Sequence, residues 1–224
     1  MTRVAIIAAM PGELKYLVRA WPHSTRNGVD FWAQRDPEDE WIVACAGAGL
    51  DAATRAFAAV EDGGPVDLLL SIGWAGALTS NIEAGKAYNA AGVIDVRTGE
   101  RFRCDAGAGE LWVATSPKVA DETEKRRLAS TYNAALVDME AAAIARLAHM
   151  RGIPFYCVKG VSDGLDEKLP DFNRFIAPNG RFQTPKFVLF ALLRPWHWPA
   201  LIRMGENSKK ASQSIAESLL ELLG

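Results

Sequence analysis

Cysteine and histidine are scarce in this chain, and neither forms a pattern. Cys45, Cys104 and Cys157 are odd in number, widely spaced and free of any C-x-x-C pair, which excludes a disulfide framework and points to reduced thiols in a cytoplasmic setting. His23, His149 and His197 show no H-x-x-x-H or H-E-x-x-H spacing, so no metal centre is expected. An excess of one charge is missing too. The 25 basic residues oppose 27 acidic ones, and the resulting net charge of −2 offers no global attraction to nucleic acid. The run Val4 to Met10 comes nearest to a signal-peptide core, but Pro11, Gly12 and Glu13 follow it with no small-x-small cleavage site, and it reads as a buried strand. There is no repeat, low-complexity tract or Ser/Pro linker. With 49% hydrophobic and 23% charged residues over 224 positions, disorder and coiled coil are also excluded, and a single domain spanning 1–224 is expected.

Five short apolar runs bounded by Gly, Pro or charges have the look of strands buried on both faces: Val4 to Ala9, Trp41 to Ala46, Val66 to Ser71, Leu111 to Thr115 and Phe155 to Val161. Helical spacing lies between and after them, at Glu13 to Ala20, Asp51 to Glu61, Asp121 to Ser130, Asp138 to Arg151 and Asn207 to Leu223. The alternation predicts a three-layer α/β domain whose central, mostly parallel or mixed sheet is flanked by helices, with ligands beyond the carboxyl ends of the strands. Leu169 to Pro199 is the least regular stretch, with five prolines, and 169–204 is a candidate appended lid or interface element.

Strand ends are therefore where chemistry is sought. Glu13 follows the first strand, and Gly73-Trp74-Ala75-Gly76 follows the third, its two glycines allowing close approach of a ligand to the backbone. Glu140 is expected on a helix face shared with Ile144 and Leu147, where a buried carboxylate needs donors from a ligand's hydroxyls or a core Arg or Lys. Ser162 and Asp163 close the last strand. Each acid taken alone can be a cap, a turn or an ion pair. Together they suit glycosidic chemistry, which needs an acid for the leaving group, a base for the incoming water and anchors on the sugar hydroxyls.

These segments resemble the purine nucleoside phosphorylase and nucleosidase superfamily, particularly the methylthioadenosine/S-adenosylhomocysteine nucleosidases. Ile6-Ile7-Ala8-Ala9-Met10-Pro11-Gly12-Glu13, Gly47-Ala48-Gly49, Gly73-Trp74-Ala75-Gly76, Val137-Asp138-Met139-Glu140-Ala141 and Val161-Ser162-Asp163 occur in the family order. The resemblance implies cleavage of the N-glycosidic bond of a purine nucleoside. Glu13 would activate water, Asp163 would be the acid at N7 and Glu140 would hold the ribose hydroxyls. Met10, Trp74, Ala75, Gly76, Met139 and Ser162 would line or orient the substrate. It also implies a homo-oligomer and no cofactor, phosphate entering only as co-substrate if the enzyme is a phosphorylase.

The chain departs from the family at named positions. Ser71 and Trp74 stand where phosphorylases carry phosphate ligands, so hydrolysis is expected over phosphorolysis, unless Arg55 or Lys159 builds a relocated phosphate site. Lys159 replaces an arginine expected to support the acid, and Arg97 to Thr115 is shorter than in the nucleosidases. Beyond Asp163, Leu169-Pro170, Pro178-Asn179-Gly180-Arg181-Phe182, Arg194-Pro195, Pro199-Ala200-Leu201 and Ser208-Lys209-Lys210-Ala211 resemble the hopanoid-associated phosphorylases, which implies an adenosylated polycyclic lipid such as adenosylhopane as substrate, with methylthioadenosine as the soluble alternative. Two rivals remain at this level. Gly47-Ala48-Gly49-Leu50-Asp51-Ala52 matches the G-x-G-x-x-A dinucleotide fingerprint of an NAD-dependent oxidoreductase, and a noncatalytic nucleoside or lipid-binding module would keep the fold without turnover. Phe187 to Met204 is apolar and aromatic, too broken by Pro195 and Pro199 to span a bilayer but suited to peripheral membrane contact.

Overall fold

A computed structural model describes residues 1–105 and 109–223. The uninterrupted apolar runs form the centre of the sheet, because a strand covered on both faces has no use for a polar alternate position. In chain order the elements are β1 (Thr2–Ala8), α1 (Pro11–Leu14), β2 (His23–Arg26), β3 (Val29–Arg35), β4 (Asp39–Cys45), α2 (Leu50–Glu61), β5 (Leu68–Ala77), β6 (Ala87–Asp95), β7 (Arg101–Arg103) and β8 (Leu111–Thr115). They continue with α3 (Glu122–Tyr132), β9 (Leu136–Asp138), α4 (Ala141–Arg151), β10 (Phe155–Asp163), α5 (Thr184–Leu192) and α6 (Trp198–Leu223).

The sheet is mixed, as expected, and it closes on itself. β10 pairs in parallel with β5 and antiparallel with β6, and the ring is completed through β8 and β9 back to β5. From β5 an open wing continues through β1, β4, β3 and β2. One layer of helices, α2 and α4, packs over Ala5, Ile7, Leu69 and Val93 on one face. On the other face Leu14 of α1 and Ile215 and Leu219 of α6 pack with Ile6, Leu70 and Val158. α6 lies directly on β10: a Cβ at Gly160 would stand 2.8 Å from that of Ala211 and 2.9 Å from Ile215 Cδ1.

Three expectations are corrected here. The helix sought over Glu13 to Ala20 stops at Leu14, because Leu17 N and Val18 N both turn back to Leu14 O and the ladder lapses into successive turns. The third strand does not end at Ser71. It runs on to Ala77, so Gly73-Trp74-Ala75-Gly76 is strand rather than loop. Helix α4 begins at Ala141, leaving Asp138 at the end of β9 and Glu140 at the cap, so Glu140 owes its burial to the strand end and not to a helical face shared with Ile144 and Leu147. Part of the shortened Arg97 to Thr115 segment, at 106–108, lies outside the described residues.

Candidate active site

The ends of β1, β9 and β10 and the second half of β5 meet at a cavity of about 660 Å³. Every residue that the resemblance implied for catalysis or substrate binding borders it: Glu13, Glu140 and Asp163 as acids, Met10, Met139 and Trp74 as bulk, and Ala75, Gly76 and Ser162 along the strands.

Glu13 is held with no side-chain hydrogen-bond partner among the described residues. Its Oε2 accepts from the backbone N–H groups of Ala9 and Met10, both at 2.9 Å, and its Oε1 accepts from that of Trp74, also at 2.9 Å. The approach requires Gly73, whose φ of +144° suits glycine and where a Cβ would lie 2.9 Å from Glu13 Oε1. Burial pushes the carboxyl above its ordinary value near 4.5, while the three amides and the Lys159 ammonium pull it partly back. The result is a carboxylate more basic than one in water.

Asp163 sits beside a bulge. The β10–β5 register shifts between Val161 and Asp163, and bulges commonly re-aim a side chain beside a site. Ser162 Oγ donates to Asp163 Oδ1 at 2.6 Å, and Lys125 of α3 forms an ion pair with Oδ2. Lys125 Nζ also donates to Gly164 O at 2.6 Å. Sequence reasoning missed Lys125. Among Lys118, Arg126 and Arg127 it reads as one more exposed cation, and its only mark is a place one turn before the apolar Leu128. Yet it is buried at 3% exposure. Lys159, expected beside this acid, is elsewhere: its Nζ lies 2.9 Å from Asp138 Oδ2 and 3.2 Å from Ser71 Oγ, with no exposed surface.

The Asp138–Lys159 pair is the buried foundation under Glu140. Asp138 also accepts from Thr115 Oγ1 at 2.7 Å and from Ala141 N at 2.8 Å, which caps α4. Burial opposes the Lys159 charge, but the Asp138 carboxylate outweighs it and raises the ammonium above its ordinary value. Glu140 itself accepts from Gly49 N at 2.7 Å. Burial, reinforced by the Asp138 charge, pushes it up to about 8. Of the two kinds of donor expected from sequence, a ligand's hydroxyls or a core Arg or Lys, the second makes no hydrogen bond to it among the described residues.

Two rival uses of these residues meet structural obstacles. The N–H groups that a dinucleotide pyrophosphate would need at the start of α2 are already engaged, Gly49 N by the Glu140 carboxyl and Ala48 N by Gly180 O at 2.8 Å. The relocated phosphate site fails as well. Lys159 is spent on Asp138, and Arg55 Nη2 donates to Asn179 O at 2.8 Å, holding the Pro178–Gly180 turn. Neither borders the cavity. Trp74, in the place of a phosphate-binding hydroxyl, turns its indole N–H to Ser212 Oγ of α6 at 3.0 Å.

The far wall is apolar and comes from the 169–204 segment, read from sequence as a candidate lid or interface element without any of its residues being named to the site. Phe172, Ile176, Phe182 and Phe187 come from the segment after β10, and Leu201 and Met204 from the first turns of α6. Phe172 and Phe175 are buried, Phe187 lies 5.5 Å from the Phe172 ring, and Asn173 ties the segment to Val119 through two hydrogen bonds.

The model of the phosphorylase superfamily matches residues 3–110 and 96–183. The chain belongs to that superfamily. A 5′-methylthioadenosine/S-adenosylhomocysteine nucleosidase of Shewanella piezotolerans is 25% identical over 215 residues, covering 80% of this chain and 94% of the relative. Among solved structures, the same-named nucleosidase of Helicobacter pylori, with butyl-thio-DADMe-Immucillin-A, superposes with a TM-score of 0.74 at 17% identity, covering 100% of this chain and 98% of that one. Futalosine hydrolase of Helicobacter pylori gives 0.72 at 17% identity, covering 97% and 95%. Superfamily and fold thus agree with the resemblance drawn from the sequence.

Proposed function

We propose that this superfamily member hydrolyses the N-glycosidic bond of a purine nucleoside, most simply an adenine nucleoside. The observation that carries the reading is the convergence of Glu13, Glu140 and Asp163 on one cavity, each in a different environment. The nucleosidase and hydrolase relatives support it.

Glu13, made more basic by burial, holds the attacking water and takes its proton as oxygen bonds to C1′. The C1′–N bond breaks with its electron pair moving into the purine. A proton reaches N7 by way of Asp163, with the Lys125 ammonium that donates to its Oδ2 as the proton source behind it. Glu140 accepts the ribose hydroxyls, steadying a ring on which positive charge builds. Products are the free base and the free sugar. The apolar wall of Phe172, Ile176, Phe182, Phe187, Leu201 and Met204 suits a hydrophobic 5′ substituent, from a methylthio group to a polycyclic lipid such as a hopane. In this reading 169–204 serves as the lid over that substituent.

A panel of purine nucleosides incubated with and without phosphate, with base and sugar separated by chromatography, tests the reading. Free base and free sugar in phosphate-free buffer are expected. Strict phosphate dependence with a sugar 1-phosphate product would replace hydrolysis by phosphorolysis, with Lys15, Lys118 and Lys209 at the cavity as the first places to look for the anion.

A further inference from the structure

The hairpin of α5 and the start of α6 is apolar on both sides. One side closes the cavity through Phe187, Leu201 and Met204. The other meets nothing among the described residues. Val188, Leu189 and Leu192 of α5 and Leu193 at its C-terminal cap form a stripe at i, i+1, i+4 and i+5, and none of α5 is buried. The stripe leads into Trp196, 69% exposed, and on to Trp198 and Ile202, again four apart. Seven of the ten exposed large hydrophobic side chains among the described residues fall between Val188 and Ile202. Single exposed apolar residues are ordinary, but such a concentration marks a contact surface.

Charge says which contact. From Phe172 to Gly205 the sequence carries Arg174, Arg181, Lys186, Arg194 and Arg203 and no Asp or Glu, while the rest of the chain holds 20 basic and 27 acidic residues. The acids at the margin of the patch are engaged within the chain, Asp171 with Arg174 at 3.2 Å and Glu167 with Arg203 at 3.8 Å, so an isologous contact with a second copy would set Lys186, Arg181 and Arg194 against a surface with no acid of its own between 172 and 205. A bilayer offers both complements, acyl chains for the stripe and anionic headgroups for Lys186 and Arg203. We propose that the α5–α6 hairpin docks on an anionic lipid surface, lying in its interface. It does not cross: no helix of the described residues is long and apolar enough to span a membrane. Resting on the proposed function, this docking places the cavity's apolar wall directly behind the lipid contact, so that a nucleoside anchored by its 5′ group reaches the acids without leaving the bilayer edge.

The test is sedimentation of the full chain with vesicles of phosphatidylglycerol and phosphatidylcholine, against phosphatidylcholine alone. Binding is expected to the anionic vesicles, weakened by salt and by roughly fivefold for each of Lys186→Gln and Arg203→Gln. Leu193→Ser with Trp196→Ser should abolish it while circular dichroism and thermal unfolding stay as in the parent. Trp198 is spared, because its indole N–H donates to Ala191 O at 2.8 Å and holds the hairpin. Protein that stays in the supernatant with anionic vesicles at low salt overturns the proposal. So does equal binding to both vesicle types, or a dimer that Leu193→Ser with Trp196→Ser dissociates. None of these readouts uses turnover, so a failure of the hydrolytic reading would leave them standing.

Discussion

The two walls of the cavity are built on opposite principles. The strand-end wall is polar, sealed and held by backbone: three amides on Glu13, a three-partner network around Asp138, an ammonium on Asp163. In the wall from Phe172 to Met204 the side chains that face the cavity are held by rings against rings, and polar contacts such as those of Asn173, Asn179 and Trp198 tie only the backbone behind them. Bond-breaking needs charges fixed to fractions of an ångström, which closed strands supply. Recognition of an apolar substituent needs only area and shape. The difference teaches that reaction and selectivity are separable here, and substitutions on either side should be able to show it.

The sharpest break is expected at the acid. Asp163→Asn and Lys125→Met should each lower kcat by about 10²–10⁴-fold with a far smaller change in KM, since both remove proton delivery to the leaving base. Activity left near that of the parent, measured as adenine release, would take Asp163 out of the chemistry. Next comes the foundation. Lys159→Met strands the Asp138 carboxylate without its partner in a fully buried site and should cost about 3–5 kcal/mol in urea unfolding. A neutral effect would mean that water reaches Asp138.

Glu140 gives a subtler signal. Its folded value of about 8 stands above the ordinary one near 4.5, so the folded state holds a proton that the unfolded chain has lost. Its contribution to stability is therefore complete below about 4.5 and is lost as pH rises through about 8, and Glu140→Gln should flatten the fall in melting temperature across that window. Ribose hydroxyls favour the carboxylate, so binding a nucleoside analogue at pH 7 should expel close to one proton, read by calorimetry in buffers of differing ionisation heat. The smallest effect belongs to the apolar wall. Phe187→Ala should raise KM for a 5′-alkylthio nucleoside by about tenfold with kcat and adenosine turnover little changed. An equal loss on both substrates would show that the walls are not separable.

Legibility followed the same division. The strands β1, β4, β5, β8 and β10 are readable because doubly buried strands are continuous apolar runs, and Glu13 and Asp163 are readable because they stand beside such runs, whereas Glu140 stands out only through its motif. β2 and β3 are not readable, His23–Arg26 being wholly exposed, although Asn27-Gly28, at φ of 51° and 77°, is the pair that favours a tight hairpin turn. β9 is three residues long, below any periodicity, and its loss shifted Asp138 and Glu140 onto a helix they only precede. Lys125 and the Asp138–Lys159 pair are contacts between distant segments, which no local pattern reveals. Nor does a list of apolar residues tell which face of α5 meets the cavity.

Helix α6 joins the two walls. Over 26 residues it is about 39 Å long. Its inner half is clamped, with Ser208, Ala211, Ser212, Ile215 and Leu219 buried and Ser212 bonded to the Trp74 indole, whereas no residue before Ser208 is buried. In engineering terms it is a cantilever. Load on the free end bends the outer turns, where Leu201 and Met204 face the cavity, while the root stays still. Trp74 lies at that root, and the amide it lends to Glu13 is isolated from whatever the tip touches.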